Sequence, residues 1–204
     1  MFGSRFSRSL ARRYRRRGLD RTARRMVDFL VEHGGVQGAS VLEIGGGVGD
    51  IQVELLRRGA TRATNLELVD SYEEDARALA GEAGFAERMT RKQVDLAQDP
   101  GAVEPHDIVV LHRVVCCYPD HQRLLGVAAG HARRLLVFSH PPRNPVTRVL
   151  FPVANLFFRV RGWTFRTYLH DPEALRESAA AGPLRERYRH RGLTWHVVGL
   201  AVPG

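Results

Sequence analysis

Residues 41–50 read VLEIGGGVGD, and this stretch restricts the fold of the 204-residue chain more tightly than any other. Val41, Leu42 and Ile44 form the short apolar run of a buried strand, which passes directly into Gly45, Gly46, Gly47 and Gly49. Ile51, Val53, Leu55 and Leu56 then recur at helical spacing, and Gly59 closes the segment. The order is strand, glycine loop, helix. Glycine permits positive φ and leaves no Cβ between the main chain and whatever lies on it, while the first N–H groups of the following helix lack partners within it. Such a turn brings backbone up against a bound molecule.

Spacing decides which class of molecule. A loop that cradles a nucleoside triphosphate ends Gly-Lys-Ser/Thr, whereas this one ends Val48-Gly49-Asp50. A dinucleotide fingerprint starting at Gly45 requires glycine at position 50, where the Asp50 carboxylate would oppose a pyrophosphate. What is present is an acid two residues ahead of three alternating glycines: Glu43, Gly45, Gly47, Gly49. In this the chain resembles the class I S-adenosylmethionine-dependent methyltransferases, whose first motif has the form E/D-x-G-x-G-x-G. The charge agrees, because that cofactor carries a sulfonium and an ammonium and no pyrophosphate, and an acid at the strand end suits it.

The resemblance covers roughly residues 36–202. It implies an α/β, Rossmann-like doubly wound fold: a seven-stranded sheet, mostly parallel, with a C-terminal antiparallel hairpin and helices on both faces. The remaining elements are readable in order. A second strand at 63–69 carries Glu67, an acid about twenty residues past the glycines and placed to accept hydrogen bonds from ribose, with Leu68 beside it. Asp70 is expected to cap a helix reaching Ala80. A third strand at 88–94 leads to Asp95 and Leu96, where the family's carboxylate contacts the adenine amine. His106 and Asp107 open a fourth strand, 108–111, whose unbroken apolar run suits a parallel sheet and ends at His112. Pro119 and Asp120 start a helix through Leu125, a fifth strand follows at 135–138, and Asp171-Pro172-Glu173 opens a helix to Ala180. Strands at 184–190 and 193–202 pair as a hairpin around Arg191-Gly192. The cofactor residues implied are Glu43, Gly45, Gly46, Gly47, Gly49, Glu67, Leu68, Asp95, Leu96 and His112. No metal set is expected.

The formal net charge of +9 suggests nucleic acid until it is divided along the chain. Residues 1–25 hold ten arginines against Asp20 alone, so the remainder is neutral. We therefore expect residues 1–35 to be a basic helical arm and 36–204 the methyltransferase domain. Phe2, Phe6 and Leu10, with Tyr14 one step further, mark one face of a cationic helix suited to an anionic membrane through residues 1–17, or to RNA. The arm brings no aromatic stacking partners on an exposed sheet, which disfavours nucleic acid. The adjacent Cys116 and Cys117 offer no disulfide framework, and with no secretory segment the expected compartment is the cytoplasm, with peripheral contact at the membrane. The Arg- and Ser-rich, acid-poor start is also the composition of organelle transit peptides.

Between Asp120 and Asp171 the chain has eight arginines and no acid. Within this stretch a helical insertion or lid, residues 140–170, contains the stripe Val146, Val149, Leu150, Val153, Leu156, Phe157 and Val160, with Phe151 and Phe158 on another side. So apolar a helix needs two coverings, one of them the domain and the other an apolar acceptor, a second subunit or lipid. Phe157, Trp163, Phe165 and Tyr168 are the expected substrate contacts, roofing a pocket for a small, apolar acceptor. Methyl transfer chiefly needs the acceptor positioned and water excluded. A base helps when a hydroxyl must lose its proton, and His112, His140 and Tyr118 are the candidates nearest the mouth. The base-methylating tetrad N/D/S-P-P-Y/F/W is replaced by His112-Arg113-Val114-Val115. The Arg-Gly-Leu-Asp-Arg-Thr segment at 17–22 and Tyr118-Pro119-Asp120 are similar to tetrapyrrole carboxylate O-methyltransferases. The leading expectation is O-methylation of a small or lipophilic molecule. The alternatives are an RNA methyltransferase using the arm and a non-catalytic cofactor-binding or membrane-associated partner protein.

Overall fold

The computed structural model describes residues 3–203. Phe2, expected on the apolar face of the first helix, lies outside the described residues. Seven strands form one sheet: β1 (Ser40–Ile44), β2 (Arg62–Leu66), β3 (Met89–Lys92), β4 (His106–Leu111), β5 (Ala132–His140), β6 (Arg185–Arg191) and β7 (His196–Ala201). Their order is β3-β2-β1-β4-β5-β7-β6. The first five pair in parallel, and β7 runs antiparallel to both β5 and β6. This is the doubly wound sheet with a closing hairpin that the sequence implied.

The central strands are apolar along their whole length because both faces are covered, and successive side chains divide between two cores. Val41, Ile108, Val110, Leu135 and Val137 join one core, which takes in α2 (Arg21–Glu32) and α3 (Asp50–Arg57). Leu42, Val109, Leu111, Leu136 and Phe138 join the other, with α5 (His121–Gly130) and α7 (Pro172–Ala179). α1 (Ser4–Arg17) lies beside α4 (Glu73–Glu82), where the buried Ser7 hydroxyl donates to Asp75 at 2.5 Å and Arg15 pairs with Glu82. α6 (Pro145–Val160) starts at a capping box made by Asn144 and Thr147.

Four expectations change. The core does not begin at residue 36: Met26, Val27, Phe29 and Leu30 of α2 are fully buried, so this helix is a layer of the domain and not part of an arm. Asp70 makes no capping bond. Residues 70–72 form a 3-10 turn, and Glu73, Glu74 and Asp75 in the first turn of α4 supply the negative charge that a helix start favours. α5 runs past Leu125 to Gly130, because Ala128 and Ala129 continue its buried face. On α6 the predicted stripe is turned outward. Val146, Val149, Leu150, Val153, Leu156, Phe157 and Val160 are all exposed, while Phe151 and Phe158 are partly covered. The narrow side, not the broad one, meets the domain.

α2 is held by a close fit. A Cβ on Gly199 of β7 would stand 2.6 Å from the Phe29 ring, so only glycine lets the aromatic lie flat on the strand, and Tyr188 of β6 stacks on the same ring at 5.4 Å. Phe29→Ala should therefore lower the unfolding free energy by about 3–5 kcal/mol in urea titration, the usual cost of emptying an aromatic core site. Val160→Ala, at a position 78% exposed, should stay within about 0.5 kcal/mol of the wild type.

Candidate functional site

A cavity of about 550 Å³ lies at the carboxyl edge of the sheet, over the point where β1 and β4 diverge to opposite sides. Open α/β sheets bind their ligands there. The glycine loop forms its floor. Gly45 and Gly47 have φ of +66° and +52°, values that residues with a Cβ rarely adopt. A Cβ on Gly45 would stand 2.5 Å from Val114, whereas one on Gly47 would meet only the Tyr72 ring at 3.8 Å. Gly47 thus presents bare backbone to the cavity. Gly49 (φ +77°) serves differently: it sits at the start of α3 and is not among the lining residues.

Carboxyl groups dominate the polar wall, with Asp20, Glu43, Asp50, Glu67 and Asp95 all on the lining. Glu43 is 1% exposed, and its Oε2 has no hydrogen-bond partner among the described residues. Burial, reinforced by the neighbouring Asp50, pushes its carboxyl well above the usual carboxylate range, and burial raises Asp50 as well. Glu67 is held differently. Its Oε2 accepts from Gly47 N–H at 3.1 Å and its Oε1 from Leu68 N–H at 2.8 Å, which fixes the carboxylate over the loop with lone pairs to spare. Asp95 accepts from the Ala97 N–H at 3.1 Å and from the Tyr118 hydroxyl at 3.0 Å. A cationic ligand with a diol and an amine would satisfy Glu43, Asp50, Glu67 and Asp95, so the chemistry of S-adenosylmethionine fits the donor and acceptor set.

Opposite the loop, the end of β4 presents His112. Its Nδ1 lies 3.1 Å from Ser139 Oγ and its Nε2 3.6 Å from Asp20 Oδ2. Arg113, a non-glycine residue at φ +60°, is held by its N–H to Ser139 Oγ at 2.9 Å and by its guanidinium to Asp20 at 2.8 Å. Burial alone would raise Asp20. The His112 imidazole, the Ala23 N–H and Arg113 outweigh it and hold the carboxyl below its usual range. Asp20 also caps α2 through Thr22 and Ala23, so one side chain ties the α1–α2 junction to the mouth of the site.

Of the residues singled out in the sequence, Glu43, Gly45, Gly46, Gly47, Glu67, Leu68, Asp95, Leu96, His112, Tyr118 and Phe165 line one cavity. His140 does not. It is 2% exposed beside a separate small void, its Nδ1–H donates to Pro141 O at 3.0 Å, and its pKa is pushed down to about 4 by burial, with His196 adding to the shift. The fifth strand carries it into the interior because β5 extends two residues beyond its expected end. The Tyr118 hydroxyl is committed to Asp95, and burial and that carboxylate raise its pKa, so it is no proton acceptor near neutrality. Phe157, Trp163 and Tyr168 are also absent from the lining. Phe157 stands on the outer side of α6, Trp163 packs on Phe158, and Tyr168 stacks on His170 while its N–H donates to Cys116 O.

Apart from Phe165, the apolar wall comes from residues that the sequence did not assign to the site. Phe6 and Leu10 of α1 line the cavity with Phe151, Phe165 and Trp195. The face of α1 expected to rest on an anionic membrane is turned to the cavity, and Ala11 and Tyr14 behind it are buried. Tyr14 donates to Glu54 of α3 at 2.9 Å and accepts from Arg57 at 2.8 Å, which locks the helix down. The spacing of Phe6, Leu10 and Tyr14 signalled an amphipathic helix, but not what it covers.

No family model matches the sequence, and no curated protein sequence is significantly similar to it. Solved structures do match. Magnesium protoporphyrin IX methyltransferase from Synechocystis PCC 6803, with bound SAH, superposes with a TM-score of 0.72 at 22% identity over 89% of this chain and 82% of that one. An O-methyltransferase family 2 protein from Planctomyces limnophilus, in complex with apigenin, gives 0.71 at 18% identity, covering 100% and 62%. Geranyl diphosphate C-methyltransferase from Streptomyces coelicolor gives 0.66 at 14% identity, covering 88% and 79%. The chain has the fold of the class I methyltransferases, and S-adenosylmethionine is the cofactor of that fold.

Gly45→Val, which drives a side chain into Val114, should abolish binding of SAH in calorimetry, and Glu67→Ala should weaken it by about 1–3 kcal/mol, the range for a hydrogen bond to a charged group. The raised carboxyls of Glu43 and Asp50 set a pH dependence with a definite sign. A bound cation favours their ionised forms, so binding of S-adenosylmethionine should release protons and tighten as pH rises through the acid range into neutrality. Calorimetry in buffers of different ionisation enthalpy reads that proton count, and proton uptake on binding would show the acids are not at the cation.

Proposed function

We propose that this chain is an S-adenosylmethionine-dependent methyltransferase that methylates an oxygen of a bulky, largely apolar small molecule. One observation carries the reading. A single cavity joins an acidic, glycine-floored half to an apolar half built from Phe6, Leu10, Phe151, Phe165 and Trp195, with His112 between them at the strand ends. A volume of about 550 Å³ and a mostly apolar lining with a few convergent polar groups are the usual features of a small-molecule site. RNA is disfavoured because the apolar residues of the arginine-rich helix are engaged with the cavity, leaving a solvated basic face without stacking rings.

Bound S-adenosylmethionine supplies an electrophilic methyl group on a sulfonium that leaves readily. The protein's work is to hold, orient and exclude water. Glu67, fixed by Gly47 and Leu68 N–H groups, would accept from the ribose hydroxyls. Asp95, fixed by Ala97 and Tyr118, would hold the adenine amine. Glu43 and Asp50 would compensate the ammonium and sulfonium charges. α1 closes the apolar half through Phe6 and Leu10. His112 is the base placed to take the proton of a hydroxyl acceptor, and Asp20, 3.6 Å from its Nε2, stabilises the imidazolium that forms.

Incubation with labelled S-adenosylmethionine and a panel of apigenin, protoporphyrin IX and its magnesium chelate should move label into the organic phase, and none into transfer RNA. Label in RNA alone, or transfer to nothing, would overturn the reading. His112→Asn should lower kcat about 10²- to 10⁴-fold, the loss expected for a general base, while SAH still binds. Near-normal turnover in that variant would point to a carboxylate acceptor, which is already deprotonated at neutral pH.

A further inference from the structure

We propose that α6 is a docking surface for an anionic lipid bilayer. Val146, Val149, Leu150, Val153, Leu156, Phe157 and Val160 all fall within an arc of roughly 120° at helical spacing, and all seven are exposed, from 47% at Phe157 to 78% at Val160. A water-facing helix of this kind would carry charges on that arc. Here the charges stand off the arc and share one sign. Arg148 and Arg159 are exposed beyond one edge, roughly 60–80° around the helix, and at the other edge the Arg161 guanidinium lies over the Phe157 ring at 4.9 Å. Among the described residues none of these three arginines is ion-paired, and the chain contains no acidic residue from 121 to 170.

Charge also separates lipid from a second copy of this chain. An isologous pairing of the face would set arginine against arginine with no acid in the segment to intervene. A leaflet rich in anionic headgroups meets the same arginines with counter-charge, and the apolar arc enters the acyl boundary. Trp163, 39% exposed and packed against Phe157 and Phe158, sits at the end of the helix where an indole fits the interfacial zone. α6 lies on its opposite side against the domain, where Phe151 lines the cavity. Docking in this orientation puts the apolar wall of the cavity next to the bilayer. That last consequence rests on the apolar acceptor proposed above; the docking itself does not.

The test uses the full chain and vesicles of phosphatidylcholine with and without about 30% phosphatidylglycerol. The wild type should sediment with the anionic vesicles and dissociate as salt is raised. Val149→Glu/Val153→Glu, at exposed positions outside the cavity, should reduce binding at least about tenfold while SAH affinity, the check on folding, is unchanged. Arg148→Glu/Arg159→Glu should lose the preference for anionic vesicles. Brominated acyl chains should quench tryptophan emission in the wild type and not in Trp163→Phe. Absence of vesicle binding, or binding undiminished in the Val149/Val153 variant, overturns the proposal, the latter transferring contact to the arginines of α1. A dimer in sedimentation equilibrium that the same variant dissolves, without vesicle binding, would assign the face to a second copy instead. Methylation results do not enter, so failure here and failure of the enzymatic reading are distinguishable.

Discussion

A carboxyl group buried at the end of a central strand is expensive, and the structure at the sheet's edge is arranged around that cost. Glu43 leaves β1 with one oxygen unbonded among the described residues, the nearby Arg91 charge does not offset its burial, and Asp50 follows seven residues later at the start of α3. Two acids so placed repel each other and are driven toward their neutral forms. Packing alone gives no reason to keep them, since apolar residues of similar volume would be no worse for stability. A ligand that brings positive charge does give a reason. The positive-φ glycines between the two acids belong to the same arrangement, because they let that ligand approach the backbone closely enough for the charges to act over a short distance.

The second half of the cavity depends on a junction and not on the sheet. Asp20 caps α2, pairs with Arg113 at the end of β4 and stands beside His112, while Gly18 at φ +66° turns the chain back from α1. Those contacts fix the angle at which α1 leaves α2 and so bring Phe6 and Leu10 over the cavity. The backbone at Arg113 is in a left-handed conformation that ordinarily costs about 1–3 kcal/mol, and it persists because Ser139 and Asp20 hold both its N–H and its guanidinium. The residue after His112 is thereby turned away from its strand, which leaves the imidazole facing the opening.

The parts of this design that obey local rules were legible in the sequence. The glycine loop, the unbroken apolar strands, the Asp120 start of α5 and the helical spacing of α6 all follow from the chemistry of individual residues, and the sheet order follows from the class those imply. What was not legible depends on which of two faces meets the domain. Phe6 and Leu10 had the pattern of a membrane helix, and seven apolar residues of α6 had the pattern of a core helix, yet the first pair faces the protein and the second group faces outward. Periodicity reports that a helix has two sides. It does not report which side is covered. His140 was misplaced for a related reason: strand ends drift by a residue or two, and at the edge of a parallel sheet two residues separate the interior from the mouth.

The two helices exchange roles in a way that their charges explain. α1 carries arginines at most solvent-facing positions, so turning Phe6 and Leu10 toward the cavity leaves a strongly hydrated exterior. α6 has its arginines off an apolar arc, so water on that arc is costly while the inner side needs only Phe151 and Phe158 to stay attached. Turning α1 over would bring its arginines to the cavity in place of Phe6 and Leu10. The covering of the acceptor half by α1, and the outward turn of α6, are thus two results of one distribution of charge along the chain.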